Sequence, residues 1–191
     1  MNAVAAPRAE ARWLLVFNCQ ALGLANCLSL AAPSVAVEYC DFPRFRKNPA
    51  EYLDRIGEFD LVITSPQLQR TQYADFGALA PTRLVPTMVF DAYHPDLCLL
   101  HEGEALLKGP LGDYHSSLAF AAWRQGLSQA DARKLFAAKT YERLGYFDRW
   151  APARQRLLSG FAAQGLDIAG AFARWTDDAS AFMHSVNHPA I

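Results

Sequence analysis

The stretch Trp13-Leu14-Leu15-Val16-Phe17-Asn18-Cys19-Gln20 decides how the chain folds. Its first five residues are apolar, which predicts a buried strand, and the next three are polar. A predicted helix, Ala21–Leu30, follows directly. A buried strand that passes through polar residues into a helix is typical of α/β proteins, in which ligands bind beyond the carboxyl ends of the strands.

The first half of the chain repeats this alternation of apolar and helical segments. Further strands are predicted at 35–39, 60–64 and 84–90, and further helices at 49–56 and 70–79. This alternation predicts βαβ units and therefore an open, mainly parallel, Rossmann-like sheet.

The second half changes composition at about residue 114, where β-branched residues become scarce. We expect this part to be helical, with no strand after residue 120. The whole of 12–191 is interpreted as one α/β domain, preceded by a flexible tail over 1–11. The helices predicted in the second half are 116–125, 128–144, 148–164 and 168–184, with Ser128 and Asp167 as the N-cap residues of the second and fourth.

Composition and charge exclude several classes of protein. The chain has 191 residues, with 18 basic and 19 acidic side chains, and this balance argues against a general nucleic-acid binder. No apolar run reaches the roughly 18–20 residues of a membrane span, and the five apolar residues at 13–17 are too few for a secretory signal. The four cysteines form no CxxC pair and are interpreted as thiols of a reducing, cytoplasmic compartment.

Cys19 is the first candidate functional residue. It precedes the first predicted helix, whose N-terminal N–H groups and dipole attract anions and lower the pKa of a thiol. Asn18 and Gln20 place polar side chains beside it. The alternative is that Cys19 is a small buried residue with a packing role only.

Two further polar segments follow predicted strands. Gln67 and Arg70 come after the strand at 60–64, on the expected ligand-binding edge, where they could contact a polar or phosphorylated ligand. Phe90-Asp91-Ala92-Tyr93-His94-Pro95-Asp96 follows the fourth strand and combines aromatic, imidazole and carboxylate groups. An ordinary turn built by Asp and Pro is the alternative for this last segment.

The C-terminal segment contains His184 and His188, which share a face if the last helix continues through them. No HExxH is present, so a general base or a ligand-anchoring donor is favoured over a zinc site, and no metal is expected. A polar helix end is the alternative. The sequence also lacks GxGxxG after the first strand, GxxxxGK[ST] and GxSxG.

Asn18-Cys19-Gln20, Tyr93-His94-Pro95-Asp96 and His184-Ser185-Val186-Asn187-His188-Pro189 together resemble the WcbI-type polysaccharide biosynthesis enzymes. The resemblance spans Leu14 to Pro189. It implies binding of coenzyme A or acetyl-CoA and acetyl transfer to a sugar hydroxyl of a capsular or surface polysaccharide, with a sugar or polysaccharide precursor as partner.

The resemblance also implies that the motif residues line the ligand pocket. The predicted catalytic residues are Cys19, His188 and His184. The predicted ligand-binding residues are Asn18, Gln20, Tyr93, His94, Asp96 and Asn187, together with Gln67 and Arg70 from their place after the third strand.

Within this hypothesis His188 is the first choice as general base and His184 orients it or the substrate. Backbone N–H groups after Cys19 and the Asn18 amide could stabilise the oxyanion. Cys19 either carries the acyl group covalently or only packs against the coenzyme. Two other functions stay open: an esterase that uses Cys19 or a nearby serine, and a non-catalytic module that binds a sugar or a nucleotide.

Overall fold

A computed structural model describes residues 10–110, 112–177, 183–185 and 188–189. The chain forms two compact units. The first extends to Thr87 and includes 163–166, and the second runs from Met88 to Ala162 and resumes at Asp167. Most of the expected tail, 1–11, lies outside the described residues, and the interpretation of 12–191 as one domain stays a prediction.

The first unit is built on a four-stranded sheet whose neighbouring strands all pair in parallel. This confirms the predicted α/β class with an open parallel sheet. The strand order is β2-β1-β3-β4. The strands are β1 (Ala11–Phe17), β2 (Val35–Asp41), β3 (Leu61–Thr64) and β4 (Thr82–Leu84).

Alternate side chains of β1 enter two separate cores on the two faces of the sheet. On one face, Leu15 and Phe17 pack with Ala21 and Ala25 of α1 (Ala21–Ala31). The opposite face carries Leu14 with three short helices and a 3₁₀ turn. Those elements are α2 (Phe42–Lys47), α3 (Ala50–Leu53), the turn Ile56–Glu58 and α4 (Phe76–Leu79).

The strand order places a topological switch point beside β1. From β1 the chain passes through α1 to β2 on one side, and then crosses to β3 on the other side of β1. Connections that leave in opposite directions open a crevice at the carboxyl ends of β1 and β3, where sheets of this kind bind ligands.

Two elements of the first unit differ from the sequence prediction. β4 ends at Leu84 instead of residue 90, because Pro86 has no N–H to donate to a ladder. The helix predicted at 70–79 is wrong over its first half. There the Thr71 hydroxyl accepts hydrogen bonds from the N–H groups of Tyr73 and Ala74, and this local turn replaces helix until Phe76.

The second unit contains five helices among its described residues. Ser128 and Asp167 accept backbone hydrogen bonds at the starts of two of them, as the sequence predicted. The prediction of a single helix at 128–144 is wrong, since two shorter helices occupy this range. The helices are α5 (Ser117–Arg124), α6 (Gln129–Lys134), α7 (Ala138–Arg143), α8 (Trp150–Ala162) and α9 (Ala169–Asp177), with a 3₁₀ turn at Phe147–Arg149.

Short antiparallel strand pairs complete the second unit. The expectation of no strand after residue 120 is wrong, because α9 ends at Asp177 and 183–189 contains a strand pair. His184 and His188 therefore do not share a helix face, and Pro189 is consistent with the loss of helix there. The pairs are β5 (Leu97–Cys98) with β8 (His115–Ser116), β6 (His101–Glu102) with β7 (Ala105–Leu106), and β9 (Met183–Ser185) with β10 (His188–Pro189).

Phe45→Ala should lower the free energy of unfolding by about 3–5 kcal/mol, because a fully buried ring is replaced by a cavity. The Phe45 ring lies 5.4 Å from that of Phe76, measured between centroids. Leu30→Ala is the matched control, because Leu30 is 84% exposed, and its effect should stay within about 0.5 kcal/mol. Urea unfolding measures both, and equal effects would contradict the packing described for this face.

Candidate site at the carboxyl ends of the strands

Asn18 shapes the turn between β1 and α1. Its side-chain Oδ1 accepts a hydrogen bond from the Gln20 N–H at 3.0 Å, and its backbone carbonyl accepts one from the Ala21 N–H at 3.0 Å. These two bonds close the turn that contains Cys19, between β1 and the first residue of α1. Gln20 is the N-cap residue and makes no side-chain capping bond, so the first turn of α1 is not capped by a side chain at that position.

The same side chain links two strands that are not neighbours. Asn18 Nδ2 donates a hydrogen bond to Thr87 Oγ1 at 3.2 Å. Asn18 follows β1 and Thr87 follows β4, while β3 lies between these strands. The bond therefore spans the carboxyl end of β3, beside the switch point. Sequence reasoning missed Thr87, and its one signal was a polar residue within the apolar stretch 83–90.

The carboxyl end of β3 carries buried polar side chains that the sequence analysis also missed. Thr64 is 0% exposed and Ser65 is 2% exposed. Among the described residues, Thr64 Oγ1 is the buried side-chain polar atom without a hydrogen-bond partner. Burying such an atom costs about 1–3 kcal/mol unless a water molecule or a ligand supplies the hydrogen bond.

Cys19 is exposed. All four cysteines are thiols and none forms a disulfide. Desolvation raises the pKa of the Cys19 thiol, and a hydrogen bond with its own backbone opposes this only in part. The lowered pKa expected from the helix N-terminus is therefore wrong. A thiol with a raised pKa is almost entirely protonated at neutral pH, which makes it a weak nucleophile.

Gln67 and Arg70 lie in the segment that leaves β3, in the same unit as Asn18 and Cys19. Gln67 is exposed. Arg70 is also exposed, and its Nε lies 3.7 Å from Asp75 Oδ2. The first unit thus carries five of the predicted site residues in the segments that follow β1 and β3. Their contact with a ligand stays a prediction.

In the second unit, Phe90 organises the segment that contains the Tyr-His-Pro-Asp motif. Phe90 is fully buried, and its ring centroid lies 5.5 Å from that of Tyr93, 5.1 Å from Trp150 and 5.6 Å from Phe172. Burial raises the pKa of the Tyr93 hydroxyl, so this group stays a hydrogen-bond donor at neutral pH. Tyr93 is therefore held in an aromatic cluster with α8 and α9.

Asp91 ties the same segment to α8 by charge. Arg156 Nη2 donates a hydrogen bond to Asp91 Oδ1 at 2.8 Å, and Arg149 Nη1 lies 3.5 Å from Asp91 Oδ2. Asp91 therefore has a structural role that the sequence analysis did not assign. Asp96 holds α5 through its backbone, since its carbonyl accepts a hydrogen bond from the Ser117 N–H at 2.8 Å.

His94 joins the central motif to the C-terminal one. Its Nε2 lies 3.2 Å from the backbone carbonyl oxygen of Met183, the residue before His184. A carbonyl oxygen accepts, so Nε2 is the donor in this hydrogen bond. The structure thus brings His94 into contact with the backbone of β9, and the meeting of the two motifs in one ligand site stays a prediction.

The remaining predicted site residues are only partly described. His184 lies in β9 and His188 in β10, with their backbones described and not their side chains, and Asn187 falls outside the described residues. The catalytic roles of the two histidines, and their meeting with Cys19, stay predictions.

Within the described part of the chain, no three His, Cys, Asp or Glu residues are grouped so that they could hold a metal ion. None of the described helices has the length and apolar character needed to span a membrane.

Comparison with known proteins gives one match. A family model described as "Polysaccharide biosynthesis enzyme WcbI" matches residues 12–191, which is nearly the whole chain. No curated protein and no solved structure matches.

Asn18→Ala should lower the free energy of unfolding by about 1–2 kcal/mol, because it removes both side-chain bonds at the β1–α1 turn. Asn18→Asp should cost less, because a carboxylate can still accept from the Gln20 N–H and is favoured near a helix N-terminus. Thr87→Val removes only the bond across β3. Urea unfolding of the three variants measures these costs, and an Asn18→Ala variant as stable as the parent would contradict the role given to this side chain.

Proposed function

The chain belongs to the WcbI family of polysaccharide biosynthesis enzymes, and from that premise we propose that it binds coenzyme A or acetyl-CoA and transfers the acetyl group to a sugar hydroxyl. The acceptor is a sugar of a capsular or other surface polysaccharide, or a precursor of one. The observation that carries this proposal is the polar site at the carboxyl ends of β1 and β3, where Asn18 bridges the β1–α1 turn and Thr87.

The N-terminus of α1 suits the charged part of coenzyme A. The helix has eleven residues and starts directly after Cys19, with no side-chain cap from Gln20. Its first-turn N–H groups and its dipole favour a phosphate or pyrophosphate group. The fixed Asn18 turn supports this, because a preorganised site loses little conformational freedom when it binds.

The buried polar residues at the end of β3 support a polar ligand at the same edge. Thr64 Oγ1 lacks a protein partner among the described residues and Ser65 is also buried. Both residues end the strand next to β1, where the two connections diverge. A ligand that donates or accepts a hydrogen bond near Thr64 would offset the cost of burying that hydroxyl.

In the proposed reaction the sugar hydroxyl oxygen attacks the thioester carbonyl carbon of acetyl-CoA. A C–O bond forms, the C–S bond breaks, and the hydroxyl proton passes through a general base to the departing coenzyme A thiolate. His188 is the proposed base and His184 its positioning partner. The Asn18 amide and the N–H groups that follow Cys19 are the proposed donors to the oxyanion.

The raised pKa of Cys19 favours direct transfer over a covalent acyl-enzyme. A covalent carrier needs thiolate, and desolvation acts against the thiolate here. We therefore assign Cys19 to contact with the coenzyme. The two mechanisms differ in whether acetyl-CoA leaves an acetyl group on Cys19.

Isothermal titration with coenzyme A tests the binding proposal. We expect saturable heat with the parent, binding about tenfold weaker for Asn18→Ala, and weaker binding for Cys19→Ala. Cys27→Ala is the matched control, because Cys27 is also exposed and lies further along α1. A folded parent that gives no heat with saturating coenzyme A would overturn the proposal.

Intact-mass spectrometry after incubation with acetyl-CoA separates the mechanisms. Direct transfer predicts that acetyl-CoA adds no acetyl group to the parent or to Cys19→Ala. An acetyl adduct that disappears in Cys19→Ala and persists in Cys27→Ala would instead establish the covalent carrier.

A further inference from the structure

Helix α5 has an apolar stripe on its outer side in addition to its buried one. Leu118 and Ala122 face the interior. Phe120 and Trp123 lie three residues apart on another side of the helix, and Leu127 follows just after the helix ends. The rings of Phe120 and Trp123 stack with centroids 5.9 Å apart, and Trp123 is nevertheless 74% exposed.

The two helices that follow do not bury any residue. α6 and α7 are short, and neither contributes a buried side chain to the core. Short helices depend on packing of an amphipathic face for their stability. Here the large exposed apolar side chains from α5 to the start of α8 indicate a surface that a binding partner covers. Those more than a third exposed are Trp123, Leu127, Phe136, Leu144 and Phe147.

Basic side chains are interleaved with these apolar ones. Residues 117–147 contain five basic and two acidic residues, although the whole chain has a net charge of −1. Each of the five exposed apolar residues lies within three positions of an arginine or lysine. Within the described part of the chain, Lys134 is the one of the five with an acidic partner, Asp131 at 2.7 Å. The basic residues are Arg124, Arg133, Lys134, Lys139 and Arg143.

We propose that the surface of α5–α7 is a docking site for an anionic lipid bilayer, which this protein binds peripherally. Exposed Trp and Phe side chains insert at the level of the lipid headgroups, where an amphipathic ring is well accommodated. The neighbouring arginines and lysines contact the negatively charged headgroups, and each adds to binding.

Charge argues against a second copy of this chain as the occupant. In a symmetric dimer the same surface, with five basic and two acidic residues, would meet itself, so two surfaces of net positive charge would repel each other. An anionic bilayer instead complements the surface in both respects, with negative charge for the basic residues and an acyl boundary for the apolar ones. The proposal does not depend on coenzyme A binding, because none of the predicted ligand-binding residues lies in α5–α7.

Flotation with lipid vesicles tests the proposal on the full chain. We expect binding to phosphatidylcholine vesicles that contain about 30% phosphatidylglycerol, little binding to pure phosphatidylcholine, and release at high salt. Trp123→Ser combined with Phe136→Ser should weaken binding at least about tenfold. Arg124→Glu combined with Lys139→Glu should do the same.

Matched controls lie in the first unit. Leu30→Ser replaces an apolar residue that is more exposed than Trp123, and Arg46→Glu with Lys47→Glu reverses two basic residues outside 117–147. Both controls should bind the anionic vesicles as the parent does. All four altered residues of the test variants are exposed, so unchanged melting temperatures are expected and are checked first.

Fluorescence quenching locates the contact. Vesicles with brominated acyl chains should quench the tryptophan emission of the parent, and Trp123→Phe should bind as tightly but lose most of that quenching. A parent that does not bind anionic vesicles, or test variants that bind as well as the controls, would overturn the proposal. So would a dimer in solution that dissociates on Trp123→Ser, which would show that a second copy covers this surface.

Discussion

The Asn18 side chain is the interaction on which the proposed site depends. Its amide joins the β1–α1 turn to Thr87 after β4, so three parallel strands end at one polar edge in a fixed relation. An apolar residue at this position would leave both the Gln20 N–H and the Thr87 hydroxyl without this partner. One side chain thus fixes the turn before α1 and joins it to the segment that follows β4.

A different kind of contact orders the second unit. The segment after Met88 is anchored by the buried Phe90 ring and by the Asp91 carboxylate, which contacts Arg149 just before α8 and Arg156 in the middle of that helix. With these in place, His94 reaches the carbonyl of Met183 and fixes β9. The central motif is therefore part of the framework, and its histidine is the link to the C-terminal histidine segment.

Sequence reasoning predicted the parallel sheet because apolar strands alternate with helical segments in the first half of the chain. It predicted the caps at Ser128 and Asp167 from residue types that favour the first position before a helix. It failed where one local bond or one proline decided the outcome, as at Thr71 and Pro86. The bond from Asn18 to Thr87 joins residues 69 positions apart, so no pattern within a helix or strand could reveal it. The Cys19 pKa also followed desolvation rather than the helix field.

Mapping coenzyme A contacts by backbone amide NMR shifts tests the central claim most directly. If the carboxyl ends of β1 and β3 form the ligand site, the largest shifts on titration fall on Cys19, Gln20 and Ala21, and on Ser65 and Gln67. The NMR signals of the amides in α6 and α7 should not shift, because those helices belong to the separate surface. Large shifts elsewhere with unchanged amides at Cys19–Ala21 would contradict the account.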